Sequence, residues 1–107
     1  MIPKEKRWES KDYIKFVSEM ACSACGIKDG TVVAHHCKVR EFHMGGTGRK
    51  PSDLFVMPLC YECHHNIHNG DKELVDSQAM FIFRTLEKAL QHDIISIKYK
   101  PYEYNVL

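Results

Sequence analysis

Apolar residues recur on one side of a predicted helix near the start of the chain. The stripe follows the i, i+1, i+4, i+7 spacing of a one-sided helix and consists of Tyr13, Ile14, Val17 and Met20. Ser10 stands just before it, where a hydroxyl can accept a hydrogen bond from the free backbone N–H groups of a first helical turn. The pattern therefore predicts an amphipathic helix that begins after Ser10 and ends before residue 21.

Two short runs of β-branched and apolar residues predict strands in the middle of the chain. Residues 31–34 lead directly to His35 and His36, so a strand here would deliver both imidazoles at its end. Residues 54–57 precede Pro58, which is predicted to close the second strand. A polar loop, centred on a glycine-rich segment, is predicted over residues 37–53.

Helical patterns return in the second half of the chain. A short helix is predicted from about residue 61 to 69, because Gly70 is suited to the position just after a helix. A longer helix is predicted from residue 71 to about 91, with a core face of Leu74, Val75, Phe81, Leu86 and Leu90. Residues 94–107 alternate apolar and polar side chains and are predicted to add a strand. Together these elements predict one α+β domain over residues 1–107.

Composition and charge indicate a small globular domain without a membrane span. With 107 residues, 44% hydrophobic and 27% charged, the chain matches a small globular domain that a metal ion would stabilise. No apolar run approaches the ~18 residues of a membrane span, and the charged first residues predict no signal peptide. Five cysteines without a secretion signal indicate metal ligands in a reducing compartment, and hence a cytoplasmic location.

Basic residues are concentrated in the first half of the chain. Residues 1–50 hold 10 Lys and Arg against 6 Asp and Glu, whereas residues 51–107 hold 5 against 8. The basic residues around the histidine pair include Lys38, Arg40, Arg49 and Lys50. Such groups could contact phosphates, although a solvated face would have the same composition.

Four cysteines have the spacing of a structural zinc site. Cys22 and Cys25 form one Cys-x-x-Cys pair, and Cys60 and Cys63 form a second pair. Four thiolates satisfy tetrahedral Zn²⁺, and the long interval between the pairs implies an insert. A thioredoxin-like redox pair is the alternative, but it needs a single pair and a βαβ setting. The remaining Cys37 is predicted to be a small buried residue or a free thiol.

The histidines indicate a second metal site. His64 and His68 stand four residues apart on a predicted helix, which places both imidazoles on one face. A zinc finger with two cysteine and two histidine ligands does not suit this spacing, because His64 directly follows the last cysteine. His65 is expected to face outward. Strand alternation would direct His35 and His36 to opposite faces, so both could serve one site only if the strand twists or ends there.

These motifs resemble the HNH, or ββα-metal, endonucleases, and most closely the small phage and prophage members that include the Ref-type, RecA-dependent recombination nucleases. The resemblance covers about residues 20–70, and its motifs are 34–36, the Gly45–Gly48 loop, 53–60 and 63–68. It implies that His35, His64 and His68 bind the catalytic ion and that His36 is the general base. The family often has Asn in the loop before the second strand. Asp53 is the nearest counterpart here and could accept the other N–H of His36.

The resemblance implies a metal-dependent DNA endonuclease that acts in recombination or DNA processing and leaves 5′-phosphate and 3′-hydroxyl ends. Imidazole ligands favour Zn²⁺, Ni²⁺, Co²⁺ or Mn²⁺ over Mg²⁺ as the catalytic ion. Arg40, Arg49 and Lys50 are candidate phosphate contacts, and His43 is either a substrate contact or a surface residue. The expected partners are DNA and a recombinase filament. Two alternatives stay open: a non-catalytic zinc module that binds DNA or a recombination protein, and a protein-binding domain built on the C-terminal helix.

Overall fold

The computed structural model describes residues 7–37 and 51–98. In chain order these form helix α1 (Lys11–Ser18), strand β1 (Val33–His36), strand β2 (Val56–Leu59), and helices α2 (Tyr61–His68), α3 (Lys72–Asp76) and α4 (Gln78–Gln91). The fold is thus a small α+β domain in which a two-stranded antiparallel sheet lies among the helices. Among the described residues, no helix is both long and apolar enough to cross a membrane.

Helix α1 begins where the sequence predicts. The Ser10 side chain accepts a hydrogen bond from the Tyr13 backbone N–H at 3.1 Å, which satisfies one free donor of the first turn. Tyr13 and Val17 are buried on the inner face of the helix. Their burial confirms the predicted amphipathic stripe.

Both strands lie two residues later than predicted. Residues 31–34 were expected to form the first strand, but Thr31 belongs to a turn: its N–H and hydroxyl bond the Asp29 carboxylate at 3.0 and 2.6 Å. The Thr31 hydroxyl also accepts the Tyr61 N–H at 3.0 Å, at the start of α2. The strand therefore continues through His36 rather than ending before His35.

The second strand was predicted at residues 54–57, with Pro58 closing it. Instead Ser52 forms a turn that takes up the N–H groups of Leu54 and Phe55, and β2 begins at Val56. Pro58 lies inside the strand opposite Ala34. A two-stranded sheet has only edge strands, so a residue without an N–H donor is tolerated there.

The single long helix predicted over residues 71–91 is wrong, because α3 and α4 are separate helices that meet at Ser77. Asp71 caps α3 by accepting the Leu74 N–H at 3.1 Å, and the buried Gln78 side chain bonds the Val75 carbonyl at 3.1 Å. These local bonds compete with a continuous helical ladder. The earlier break after α2 is as predicted, with Gly70 at a positive φ of 81°.

Two clusters of buried residues form the core. The first joins the cysteine-rich segments to β2, α2 and α4, and contains Cys22, Val32, Cys37, Met57, Leu59, Cys60, Ile67, Phe81 and Ile82. The second joins α1 to β2 and α4 through Tyr13, Val17, Val56 and Ala89. Residues 94–98 are not a strand, although Ile95 packs against the second cluster; the rest of that predicted strand lies outside the described residues.

Candidate metal centre

Four cysteines meet at one point of the fold, as their spacing predicts. Cys22 and Cys25 lie in a turn after α1, while Cys60 and Cys63 lie at the start of α2. Their sulfur atoms are all within 4.8 Å of one another, and the Cys25 and Cys60 Sγ atoms are 3.7 Å apart. Thiolates bound to one zinc ion at about 2.3 Å stand about 3.8 Å from each other. The cluster could therefore hold a zinc ion.

The pKa values of the thiols in this cluster are shifted in opposite directions. Burial acts to raise the pKa of Cys22, but backbone N–H groups of Cys60, Cys25 and Ala24 lower it to about 7. Burial and the three neighbouring thiols raise the pKa of Cys63. Protein atoms alone thus favour one thiolate and disfavour another, and a bound cation would supply the charge that lets all four ionise.

Three histidines form a second group of candidate metal ligands, the histidine cluster, whose members come from two different elements. His35 comes from β1 and is buried, while His64 and His68 come from successive turns of α2. Their ring centroids are 5.0 Å (His35–His64), 5.2 Å (His35–His68) and 4.6 Å (His64–His68) apart. A nitrogen from each ring lies within 4.8 Å of the other two.

The spacing of these nitrogens suits a single ion. The Nε2 atoms of His64 and His68 are 3.1 Å apart, close to the ~3.3 Å between imidazole nitrogens that share a tetrahedral zinc. Burial falls from His35 through the half-buried His64 to the exposed His68, so the cluster is open to solvent on one side. Three protein ligands with an accessible side leave a coordination position for water or substrate.

His36 faces a carboxylate rather than the other histidines. It follows His35 on the strand, and its Nε2 lies 2.7 Å from Oδ1 of the buried Asp53. Burial acts to raise the pKa of Asp53, but hydrogen bonds from His36 and Ser10 and the charge of Arg7 outweigh it and hold the pKa below its ordinary value. An ionised carboxylate only accepts hydrogen bonds, so His36 Nε2 is the donor in this contact, and in a neutral ring Nδ1 would be left to accept one.

Arg7 was not identified as a site residue from sequence, where it counted only among basic residues that could contact phosphates. Its Nη2 donates to Asp53 Oδ1 at 2.7 Å, and its Nε donates to the Pro51 carbonyl at 2.8 Å. The Ser10 N–H donates to Asp53 Oδ2 at 2.9 Å. No sequence motif links Arg7 to Asp53, so only the folded chain reveals this network.

Of the remaining residues considered from the sequence, Cys37 and His65 lie within the described residues. Cys37 is fully buried in the first core cluster and belongs to neither group of candidate metal ligands, and the exposed His65 contacts Asn69. The predicted phosphate contacts and the glycine loop lie outside the described residues, namely Arg40, His43, Gly45–Gly48, Arg49 and Lys50.

Comparison with known proteins places the chain in a family but does not assign an activity. The chain is 33% identical over 98 residues to a protein of Escherichia coli (strain K12) named Uncharacterized protein YdfU. The alignment covers 89% of this chain and 27% of that protein, so the chain spans about a quarter of its relative's length. No solved structure matches the chain significantly. A family model described as Protein of unknown function (DUF968) matches residues 1–92, and the chain belongs to this family.

Proposed function

We propose that this domain is a metal-dependent DNA endonuclease of the HNH type, with zinc in the cysteine cluster and a catalytic divalent ion in the histidine cluster. One observation carries the proposal. An open three-imidazole cluster lies next in sequence to a histidine whose ring is oriented by a buried carboxylate. A zinc module with a purely structural purpose needs neither feature, because structural sites are closed by four protein ligands.

The resemblance to HNH endonucleases supports the same assignment of roles. His35, His64 and His68 would hold the ion. When bound, it would neutralise charge on the scissile phosphate and on the departing 3′ oxygen. The site's partly exposed side would admit a phosphodiester, since His68 is at the surface.

The protein's own contribution to the reaction is to prepare and activate water. His36 Nδ1 would accept a proton from a water molecule while Nε2–H stays bonded to Asp53 Oδ1, 2.7 Å away. The Asp53 carboxylate fixes the ring's tautomer and stabilises the positive charge that the ring acquires. The hydroxide would attack phosphorus as the bond to the 3′ oxygen breaks, and the departing oxygen would take a proton from solvent, which leaves 5′-phosphate and 3′-hydroxyl ends. A positioned general base contributes about 10²–10⁴-fold to such a reaction.

The test is a cleavage assay with purified protein on supercoiled, linear and branched DNA, with each of Mn²⁺, Co²⁺, Ni²⁺, Zn²⁺ and Mg²⁺. Each reaction is run with and without a recombinase filament, because the family resemblance includes recombinase-dependent nucleases. His36→Ala protein, purified in parallel, controls for contaminating nuclease. Metal-dependent cutting by the parent and at least ~10²-fold slower cutting by the variant are expected. If the parent cuts under none of these conditions yet binds DNA, the domain is a non-catalytic binding module.

A further inference from the structure

The segment before α1 reaches across the fold to the carboxylate that orients His36. Arg7 uses three of its nitrogens: Nη2 contacts Asp53 Oδ1 at 2.7 Å, Nε contacts the Pro51 carbonyl at 2.8 Å, and Nη1 contacts Glu9 at 2.6 Å. The Asp53 N–H in turn donates to the Trp8 carbonyl at 3.0 Å. The N-terminal segment is therefore joined to the loop before β2 by both backbone and side-chain bonds.

These contacts determine the orientation of the Asp53 carboxyl group. Oδ1 receives Arg7 and His36 together, while Oδ2 receives the Ser10 N–H at 2.9 Å. Arg7 on Oδ1 and the Ser10 N–H on Oδ2 together hold the carboxylate plane, so the remaining acceptor direction of Oδ1 is presented to the His36 ring. The Arg7–Asp53 pair is well shielded from water, with side chains 26% and 8% exposed. The Arg7–Glu9 pair contributes little by comparison, because Glu9 is 65% exposed.

We propose that Arg7 is a positioning residue of the active site, which fixes Asp53 so that His36 is held with Nδ1 available for the substrate water. This inference rests on the proposed function. It extends the active site to a segment outside the part of the chain that resembles HNH nucleases. It also assigns Arg7 a role other than binding DNA phosphates: the guanidinium is engaged by protein groups at all three contacting nitrogens.

A positioning role for Arg7, a purely stabilising role and a DNA-binding role change different measured quantities when the residue is replaced. If Arg7 only tied two segments together, its loss would lower the melting temperature and the amount of folded enzyme but not the turnover of the folded fraction. If it bound DNA, its loss would raise KM and reduce the salt dependence of binding. A positioning role lowers kcat with little change in KM.

The experiment compares Arg7→Ala and Arg7→Lys with the parent, and uses Arg84→Ala, which removes an exposed arginine of α4, as the matched control. Kinetics are measured at a temperature where all four proteins are folded, with metal content checked by elemental analysis. Arg7→Ala is expected to lose about 10-fold in kcat, the lower range for removing a group that orients a site residue. Its KM and metal content should match the parent's. Arg7→Lys keeps the positive charge but lacks the several N–H donors of the guanidinium group. Its kcat should therefore lie between those of Arg7→Ala and the parent.

Chemical rescue supplies a readout that a structural role would not change. Guanidinium ion, added well below denaturing concentrations, should restore part of the Arg7→Ala turnover and should not affect Arg84→Ala. The ring nitrogens of His36 provide a second readout that needs no activity. In ¹⁵N-labelled parent protein, Nε2 should carry the proton, whereas Arg7→Ala should show a mixture of both tautomers.

Each outcome decides between the explanations. A parent that cuts DNA, with Arg7→Ala equal to it in kcat and in its ring resonances, would overturn the positioning role. A rise in KM with unchanged kcat would instead make Arg7 a DNA contact. If the parent cuts nothing, the proposed function fails by itself, and the His36 tautomer still shows whether Arg7 positions the Asp53–His36 pair.

Discussion

The histidine cluster can be tested by removing its most exposed member, His68. The substitution His68→Ala leaves two of the three imidazoles that the structure brings together, and it removes no buried side chain. His65→Ala is a matched control, because His65 is exposed on the same helix, contacts Asn69 and does not belong to the histidine cluster. Both substitutions place alanine in α2, so their effects on helix propensity are similar.

The expected magnitude follows from the geometry. Removing a group that only supports a metal ligand costs about 10–100-fold in affinity, and His68 offers a ligand atom of its own. We therefore expect at least a ~100-fold weaker affinity for the ion of this cluster. At a free-metal concentration of 100 times the parent's Kd, binding stabilises the parent by about 2.7 kcal/mol. The same concentration would stabilise His68→Ala by about 0.4 kcal/mol. The difference corresponds to a melting temperature lower by roughly 10 °C in a domain of this size.

The assay is a competition titration with a chromophoric chelator, followed by thermal melts at matched free metal. Elemental analysis of the same samples should show that the cysteine cluster stays filled in all three proteins. Parent-like affinity in His68→Ala would refute the assignment of this residue as a ligand. Equal losses in His65→Ala and His68→Ala would show that the effect comes from the helix rather than from the metal site.

Three further predictions concern the other site residues. Cys60→Ser should lose one zinc equivalent and lower the melting temperature, because the ligand is buried between two segments of the fold, whereas Cys37→Ala should keep its zinc by elemental analysis. His36→Ala should keep both ions and bind DNA like the parent but cut at least ~10²-fold more slowly, whereas His35→Ala should lose the ion of the histidine cluster together with activity. The lowered pKa of Asp53 means that its ionised form stabilises the folded state above the ordinary carboxyl pKa of about 3.9, and this contribution is lost as the pH falls through the lower pKa of the folded protein. Urea unfolding between pH 2 and 7 should therefore show a smaller loss of stability on acidification in Asp53→Asn than in the parent, and an equal loss would contradict this assignment.

Local sequence signals predicted the parts of the fold that local interactions determine. Ser10 and Gly70 predicted the start of α1 and the end of α2, and the Cys-x-x-Cys spacing predicted which four sulfurs meet. The strand positions were wrong by two residues, because the hydroxyl groups of Thr31 and Ser52 form turns with nearby backbone and side-chain groups. A β-branched run does not reveal such competition for its own hydrogen-bonding groups.

The candidate site was predictable only in part, for a related reason. The spacing of His64 and His68 on a helix is a short-range property, and strand alternation correctly separated His35 from His36. The position of Asp53 against His36 was suggested by the resemblance, but the side chain that holds Asp53 in place comes from Arg7, 46 residues earlier in the chain. Contacts between such distant residues depend on the packing of α1 against the sheet, which no local pattern encodes.

The short helix α2 has a consequence for how metal ions at the two clusters would affect each other. Cys60 and Cys63 stand at its start, and His64 and His68 follow within the same two turns, so one rigid element carries ligands for both clusters. An ion in the cysteine cluster would hold the first turn of α2 against the turn at Cys22, and would thereby place the histidines near His35 before a second ion arrives. The two binding equilibria are then thermodynamically linked, and by reciprocity each ion raises the affinity for the other by the same factor. A loss of zinc from the cysteine cluster under oxidising conditions would therefore also weaken binding of an ion by the histidines.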